Sequence, residues 1–149
     1  MSNDNIVNFV KLRADAILPE YKTSGSAGAD VFALLLDDVV IKPHERVLIA
    51  TGIAMAMPAG YEAQIRSRSG LAFKNGIMVL NSPGTIDNDY RGELKILLCN
   101  MGSEDFVVQN GMRIAQIVFC KYEQMFFAET ASLEDTVRGV GGFGSTGIK

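Results

Sequence analysis

Asn81-Ser82-Pro83-Gly84-Thr85-Ile86-Asp87-Asn88-Asp89-Tyr90-Arg91-Gly92-Glu93-Leu94 is bracketed by two apolar, strand-like runs, Gly76–Leu80 before it and Leu94–Cys99 after it. Pro83, Gly84 and the Asp87-Asn88-Asp89 cluster are turn chemistry between strands, so the spacing predicts a hairpin. Pro83 fixes φ and removes a donor, while Gly84 lets the backbone approach something closely. Asp87 then projects from a rigid mouth. On its own the stretch reads first as an ordinary polar hairpin, and only its company in the chain overturns that.

Outward from this hairpin, short strand-like runs recur: Ile6–Leu12, Val31–Leu36, Val39–Ile41, Arg46–Ala50, Tyr61–Arg66, Ile77–Leu80, Leu94–Cys99, Phe106–Val108, Ile114–Tyr122 and Gln124–Ala128. Gly, Pro, Asn or Asp separates most of them. Helix is expected only as a turn or two near Leu71–Asn75 and at Leu133–Thr136. Many short strands with frequent turns predict an all-β sandwich or barrel, not a βαβ sheet. Leu34-Leu35-Leu36 and Ile96-Leu97-Leu98-Cys99 are apolar on both faces, so a second sheet or a second subunit must cover them. An oligomer is expected. There are no internal repeats.

At 149 residues, 48% hydrophobic and 21% charged, the chain fits one globular domain. A net charge of −3 gives no electrostatic case for nucleic acid or an anionic membrane. Cys99 and Cys120 lie in apolar runs without metal-ligand spacing and read as buried free thiols of a reducing compartment. The sole histidine, His44, sits in a turn-like segment, which argues against zinc. No run reaches transmembrane length and no basic leader precedes an apolar stretch, so a cytoplasmic location is expected.

Four other places offer chemistry. Arg66-Ser67-Arg68-Ser69-Gly70 sets cations, hydroxyls and a permissive glycine between a strand and a short helix, a natural anion site or a solvated basic turn. Asp30 follows the small-residue turn Ala27-Gly28-Ala29, and Arg113 and Gln116 fall on opposite sides of their strand if it is regular. The end of the chain, Gly139 to Gly147, holds five glycines in nine residues with Phe143, Ser145 and Thr146 among them. Residues 1–137 are expected to form the β domain, and 138–149 a mobile tail. Arg138, bare amides, an aromatic face and hydroxyls suit closure over a nucleotide.

In order and spacing these segments resemble the five motifs of the trimeric dUTPase family: Ala27-Gly28-Ala29-Asp30, Arg68-Ser69-Gly70-Leu71-Ala72, Gly84 to Glu93, Arg113-Ile114-Ala115-Gln116, and Gly141 to Gly147. The resemblance runs through nearly the whole chain. It implies a jelly-roll-like β fold of the β-clip kind and a homotrimer with active sites at subunit interfaces. The implied reaction is hydrolysis of dUTP to dUMP and pyrophosphate, which keeps uracil out of DNA and supplies dUMP for dTMP synthesis. By the same resemblance Asp87 is the general base, a role worth about 10²–10⁴-fold. Arg68, Ser69 and Gly70 meet phosphates, and Gln116 reaches phosphates or metal-bound water. Asn81, Gly84, Thr85, Ile86, Asp87 and Lys95 line the deoxyuridine pocket, and Tyr90 packs under the sugar. Arg138, Phe143, Gly144, Ser145 and Thr146 close the site, and Mg²⁺ is the implied cofactor, held by Asp30 through water.

The chain departs from the family pattern at Val140, where a small or hydroxyl residue is usual. Asn88 stands at a variable position. Arg66 adds a cation expected in an interface ion pair. The alternatives are a dCTP deaminase of related fold or a bifunctional deaminase–dUTPase, a non-catalytic nucleotide sensor and a purely structural β trimer. The Asp87 hairpin and the complete tail argue against each.

Overall fold

The structure is a computed structural model that describes residues 5–142. Strands β1 (Asn8–Lys11), β2 (Ala29–Phe32), β3 (Val39–Ile41), β4 (Arg46–Ala50), β5 (Ile53–Ala56) and β6 (Tyr61–Arg66) come first. Helix α1 (Ser69–Asn75) follows, then β7 (Ile77–Val79), β8 (Gly84–Ile86), β9 (Lys95–Asn100), β10 (Phe106–Val108) and β11 (Arg113–Lys121). Every pairing among them is antiparallel. Two larger sheets, β2-β11-β6-β8 and β4-β9-β7, are accompanied by the ribbons β1-β5 and β10-β3. The fold is all-β and jelly-roll-like.

Paired residues of neighbouring strands point to the same face of a sheet, so register separates core from site. In the four-stranded sheet Ala29, Ile117, Ile65 and Gly84 form one buried row. The adjacent row, Asp30, Gln116 and Arg66, faces the other way and is polar. The three-stranded sheet contributes Ile49, Ile96, Leu98 and Val79 to the same core. Each such side chain contributes about 1.5–3 kcal/mol by leaving water.

Several expectations are corrected. The runs flanking the Asn81–Leu94 stretch do pair, β7 with β9. Yet the segment between them is more than a hairpin turn, because β8 leaves it to join β6 in the other sheet. Turn residues on both sides conceal that three-residue strand in the sequence. Strand β5 also went unseen, since Ala54 and Ala56 dilute its apolar signal. No strand forms at Gln124–Ala128 and no helix at Leu133–Thr136. Met125, Phe126 and Phe127 have strand-like chemistry, but within one chain they find no ladder to join and stay exposed. The Ile96–Cys99 run is covered by its own chain, with only Leu97 half-buried, so it requires no second subunit. Leu36 does remain exposed.

Helix α1 buries none of its residues and is held by its ends. It stops at Gly76, whose φ of 68° is the left-handed conformation that lets its N–H return to the last turn. Just before it, the Ser67 hydroxyl accepts a hydrogen bond from the Val79 amide at 2.9 Å. The corner between β6 and α1 is thereby tied to the strand that leads into Asn81. No helix among the described residues is long and apolar enough to cross a membrane.

Candidate active site

Asp30, on β2, is the anchor of the first half of the site. Its Oδ1 lies 3.0 Å from Arg68 Nε and its Oδ2 3.1 Å from an Arg113 terminal nitrogen, with only 12% of the side chain exposed. Arg68 also donates to the Arg113 carbonyl oxygen at 2.9 Å. One carboxylate thus fixes two guanidinium planes, and charge-assisted bonds of this kind are the stronger class.

Arg113 and Gln116 do not end up on opposite faces. The β11–β2 register skips a residue between Arg113 and Ala115, so Arg113 pairs with Phe32 while Gln116 pairs with Asp30. Phe32 and Asp30 are two apart, and the extra residue of the bulge carries Arg113 round to Asp30. Gln116 then donates to the Ser67 carbonyl oxygen at 3.0 Å. It passes so close to Gly28 that a Cβ there would collide with its Oε1. That close approach is the reason for glycine in the Ala27-Gly28-Ala29-Asp30 turn.

Asp30, Arg68, Ser69, Gly70 and Gln116 surround a cavity of about 200 Å³. The N-cap of α1 is Arg68, which makes no side-chain cap, and its first turn carries no acidic residue. The Ser69 hydroxyl, the main chain at Gly70 and the Arg68 cation therefore border one space, a donor set suited to phosphate oxygens. Arg113 and Ser67 belong to this arrangement through Asp30 and Gln116; the sequence placed them in the fourth motif and the anion-site segment but gave neither a specific contact. The two-residue spacing of Arg66, Arg68 and their serines was the available signal. Among the described residues Arg66 pairs with no carboxylate; its guanidinium donates to Gln64 Oε1.

The second half of the site is the segment around β8. This strand ends its sheet, paired only with β6, so one side of its main chain is free among the described residues. Gly84 lies under Asn81 and against Ile65, the close approach expected of it. Tyr90 donates through its hydroxyl to the Glu93 carbonyl oxygen at 3.1 Å. Lys95 Nζ lies 3.6 Å from one Glu93 carboxylate oxygen, while the other accepts from the Gly52 amide at 2.9 Å. Asn81, Gly84–Ile86, Tyr90 and Lys95 thus lie along the stretch that runs from the end of β7 through β8 to the start of β9, with Asp87 exposed just past β8.

The two halves are not together. Ile86 pairs with Ala63, and Gln116, beside Asp30, pairs with Arg66. Asp87 and Asp30 are thus separated by about four residues along the strands and three strand spacings across them, about 20 Å in all. Arg138 donates to the Gly141 carbonyl oxygen at 2.8 Å, within its own turn. Phe143, Gly144, Ser145 and Thr146 lie outside the described residues. Among the described residues no group of three or more His, Cys, Asp or Glu is placed to hold a metal.

Fold and site define an all-β, jelly-roll-like protein with a donor set suited to phosphate oxygens and an exposed carboxylate beside a sheet edge. The comparisons narrow that class. A family model described as dUTPase matches residues 14–147. The deoxyuridine 5'-triphosphate nucleotidohydrolase of Treponema denticola is 56% identical over 140 residues, covering 94% of this chain and 97% of the relative. That of Rickettsia bellii is 60% identical over 131 residues, covering 88% and 87%. A mutant dUTPase of Staphylococcus bacteriophage 80alpha, solved with dUpNHpp, superposes with a TM-score of 0.86 at 26% identity, covering 97% and 99%. The chain belongs to the dUTPase family and is an enzyme of it.

Proposed function

We propose that the chain hydrolyses dUTP to dUMP and pyrophosphate as a homotrimer, with Asp87 of one copy acting on a triphosphate held by Arg68 of another. The observation that carries this reading is the separation of two complete half-sites by about 20 Å in one chain. A general base works within hydrogen-bond reach of the proton it takes. Asp87 and the Arg68 cradle therefore serve one α-phosphorus only when a second copy supplies one of them. The exposed apolar run at Met125, Phe126 and Phe127, with Leu133 and Val137 beyond it, also calls for a neighbouring copy.

In the reaction Asp87 takes the proton of the attacking water, and the pyrophosphate leaves from the cradle. Arg68, Ser69 and Gly70 hold the phosphate oxygens, and Gln116 orients what rests between Asp30 and Ser67. Uracil presents two acceptors and one donor, which the free edge of β8 at Gly84–Ile86 complements through main-chain groups, with Asn81 beside it. Such a site disfavours cytosine by about 10⁴–10⁵-fold, since mismatched polar groups stay unpaired. Tyr90 packs under the deoxyribose and Lys95 borders the pocket.

Magnesium fits this donor set through the substrate. Both Asp30 oxygens already hold arginines, and a carboxylate keeps further lone pairs that accept from a metal-bound water. Mg²⁺ retains several waters and takes phosphates as ligands, and when bound it neutralises charge on the triphosphate. Residues 138–149 serve as a lid, with Arg138 at the γ-phosphate, Phe143 on uracil, and Gly144, Ser145 and Thr146 at the terminal phosphates. The free thiols of Cys99 and Cys120 support a cytoplasmic setting.

The test is pyrophosphate release by purified protein with Mg²⁺, comparing dUTP, dCTP, dTTP and UTP. Strong preference for dUTP, abolished by Asp87→Asn, supports the reading. Tight dUTP binding without release overturns it in favour of a nucleotide sensor.

A further inference from the structure

We infer that Asn88 and Tyr122 are positioning residues that aim the Asp87 carboxylate, a role resting on the reading of Asp87 as the base. Beyond Ile86 the β8–β6 ladder ends, and the turn from Asp87 to Gly92 overhangs the sheet. Its internal bonds are local: the Tyr90 amide donates to the Asp87 carbonyl oxygen at 3.2 Å, and Arg91 donates to the carbonyl oxygens of Asn88 and Tyr90. Those bonds give the turn its shape but move with it. Among the described residues one hydrogen bond from this turn reaches a distant segment, from Asn88 Nδ2 to the Tyr122 hydroxyl at 3.2 Å.

Tyr122 makes a firm post. Its amide donates to the Gly60 carbonyl oxygen at 3.1 Å, which carries the β11–β6 pairing one step past Lys121 and Tyr61. The same strand opens with Arg113 and Gln116, so both the phosphate cradle and the post for the Asp87 turn are fixed to β11. Burial fits the assignment. Asn88 is half-buried between two exposed aspartates, its side chain turned back to the sheet while Asp87 faces out. A base misplaced by about 1 Å loses much of its effect, so holding this turn acts directly on the chemical step. The contact also adjoins the point where the chain leaves β11 for its C-terminal segment.

The experiment measures steady-state pyrophosphate release from dUTP and melting temperature for the full-length protein. The variants are Asn88→Ala, Tyr122→Phe, their double, Asn88→Asp and Asn88→Asp with Tyr122→Phe. Each of the first two lowers kcat by about 3–10-fold at unchanged KM and melting temperature, the scale of one hydrogen bond. The double falls no further than either single. Asn88→Asp, whose carboxylate accepts from the Tyr122 hydroxyl, retains more activity than Asn88→Ala, and adding Tyr122→Phe removes that advantage. Wild-type kcat in the singles, additive losses, or a fall in melting temperature that accounts for the lost activity overturns the proposal. Asp87→Asn in the same assay separates the two readings. If it keeps turnover, the base assignment fails and this inference with it; if it is inactive while the Asn88 and Tyr122 variants match wild type, only the positioning role fails.

Discussion

Asp30 Oδ1 and Arg68 Nε meet at 3.0 Å, and this pairing fixes Arg68 at the cavity where we propose that phosphate binds. Arg68 is a long side chain whose free rotamers would otherwise have to be frozen on binding, at about 2 kcal/mol. Held by Asp30 and by the Arg113 carbonyl oxygen, it presents its remaining donors in one direction. The carboxylate beneath also permits two cations, Arg68 and Arg113, to share one corner.

Asp30→Asn therefore acts first on binding. The amide cannot neutralise two guanidinium groups, and one of its two atoms becomes a donor facing a donor. KM for dUTP rises by about 10–100-fold, the range of a charge-assisted bond. Steady-state kinetics at saturating Mg²⁺ checks this, and raising Mg²⁺ further does not restore KM.

Gly28→Ala tests the close approach on the opposite side of the cradle. The new Cβ displaces the Gln116 side chain and breaks its bond to the Ser67 carbonyl oxygen. The colliding atom is the end of a flexible side chain, so the fold loses only about 1 kcal/mol or less while kcat/KM falls by about 10-fold. In a Gln116→Ala background the collision disappears, and Gly28→Ala then costs almost nothing. Kinetics of the two single variants and the double decide this through their non-additivity.

Much of this site was legible as residues but not as geometry. Arg68, Ser69, Gly70, Asp30 and Gln116 stand where turn and strand chemistry placed them, and Arg46–Ala50 and Tyr61–Arg66 are strands with the expected bounds. The bulge at Ile114 was hidden, because a bulge is a property of two paired strands and the sequence displays only one. Strand β8 was hidden for a related reason: Gly84-Thr85-Ile86 carries too few apolar residues to declare itself and becomes a strand by pairing with β6. The expected strand at Gln124–Ala128 failed in the opposite sense, with suitable side chains and no partner in its own chain. Local chemistry finds elements; pairing decides which of them are used.

Asn100 is the polar group on which the second sheet depends. Fully buried, it donates to the carbonyl oxygens of Ile41 and Glu104 at 2.8 and 2.7 Å and accepts from the Gly102 amide at 2.8 Å. Asn100→Leu leaves these main-chain groups without partners, at about 1–3 kcal/mol each where water cannot replace the bond. The urea midpoint falls by an amount equivalent to about 2–4 kcal/mol at unchanged slope. Activity per folded molecule changes little, since Asn100 touches neither half-site.

The separation of Asp87 from Arg68 makes a stronger prediction about assembly. If each active site takes its cradle from one copy and its base from a neighbour, two inactive variants complement each other. Trimers of Asp87→Asn alone lack every base, and trimers of Arg68→Ala alone lack every cradle. When the two are mixed before refolding, each mixed trimer contains one junction where an intact Arg68 meets an intact Asp87. Random assembly of equal amounts then restores about a quarter of wild-type turnover, as cyclic symmetry requires. Mixing after folding restores activity only as fast as subunits exchange. A site confined to one chain yields no recovery under either protocol, because every chain in the mixture carries a defect.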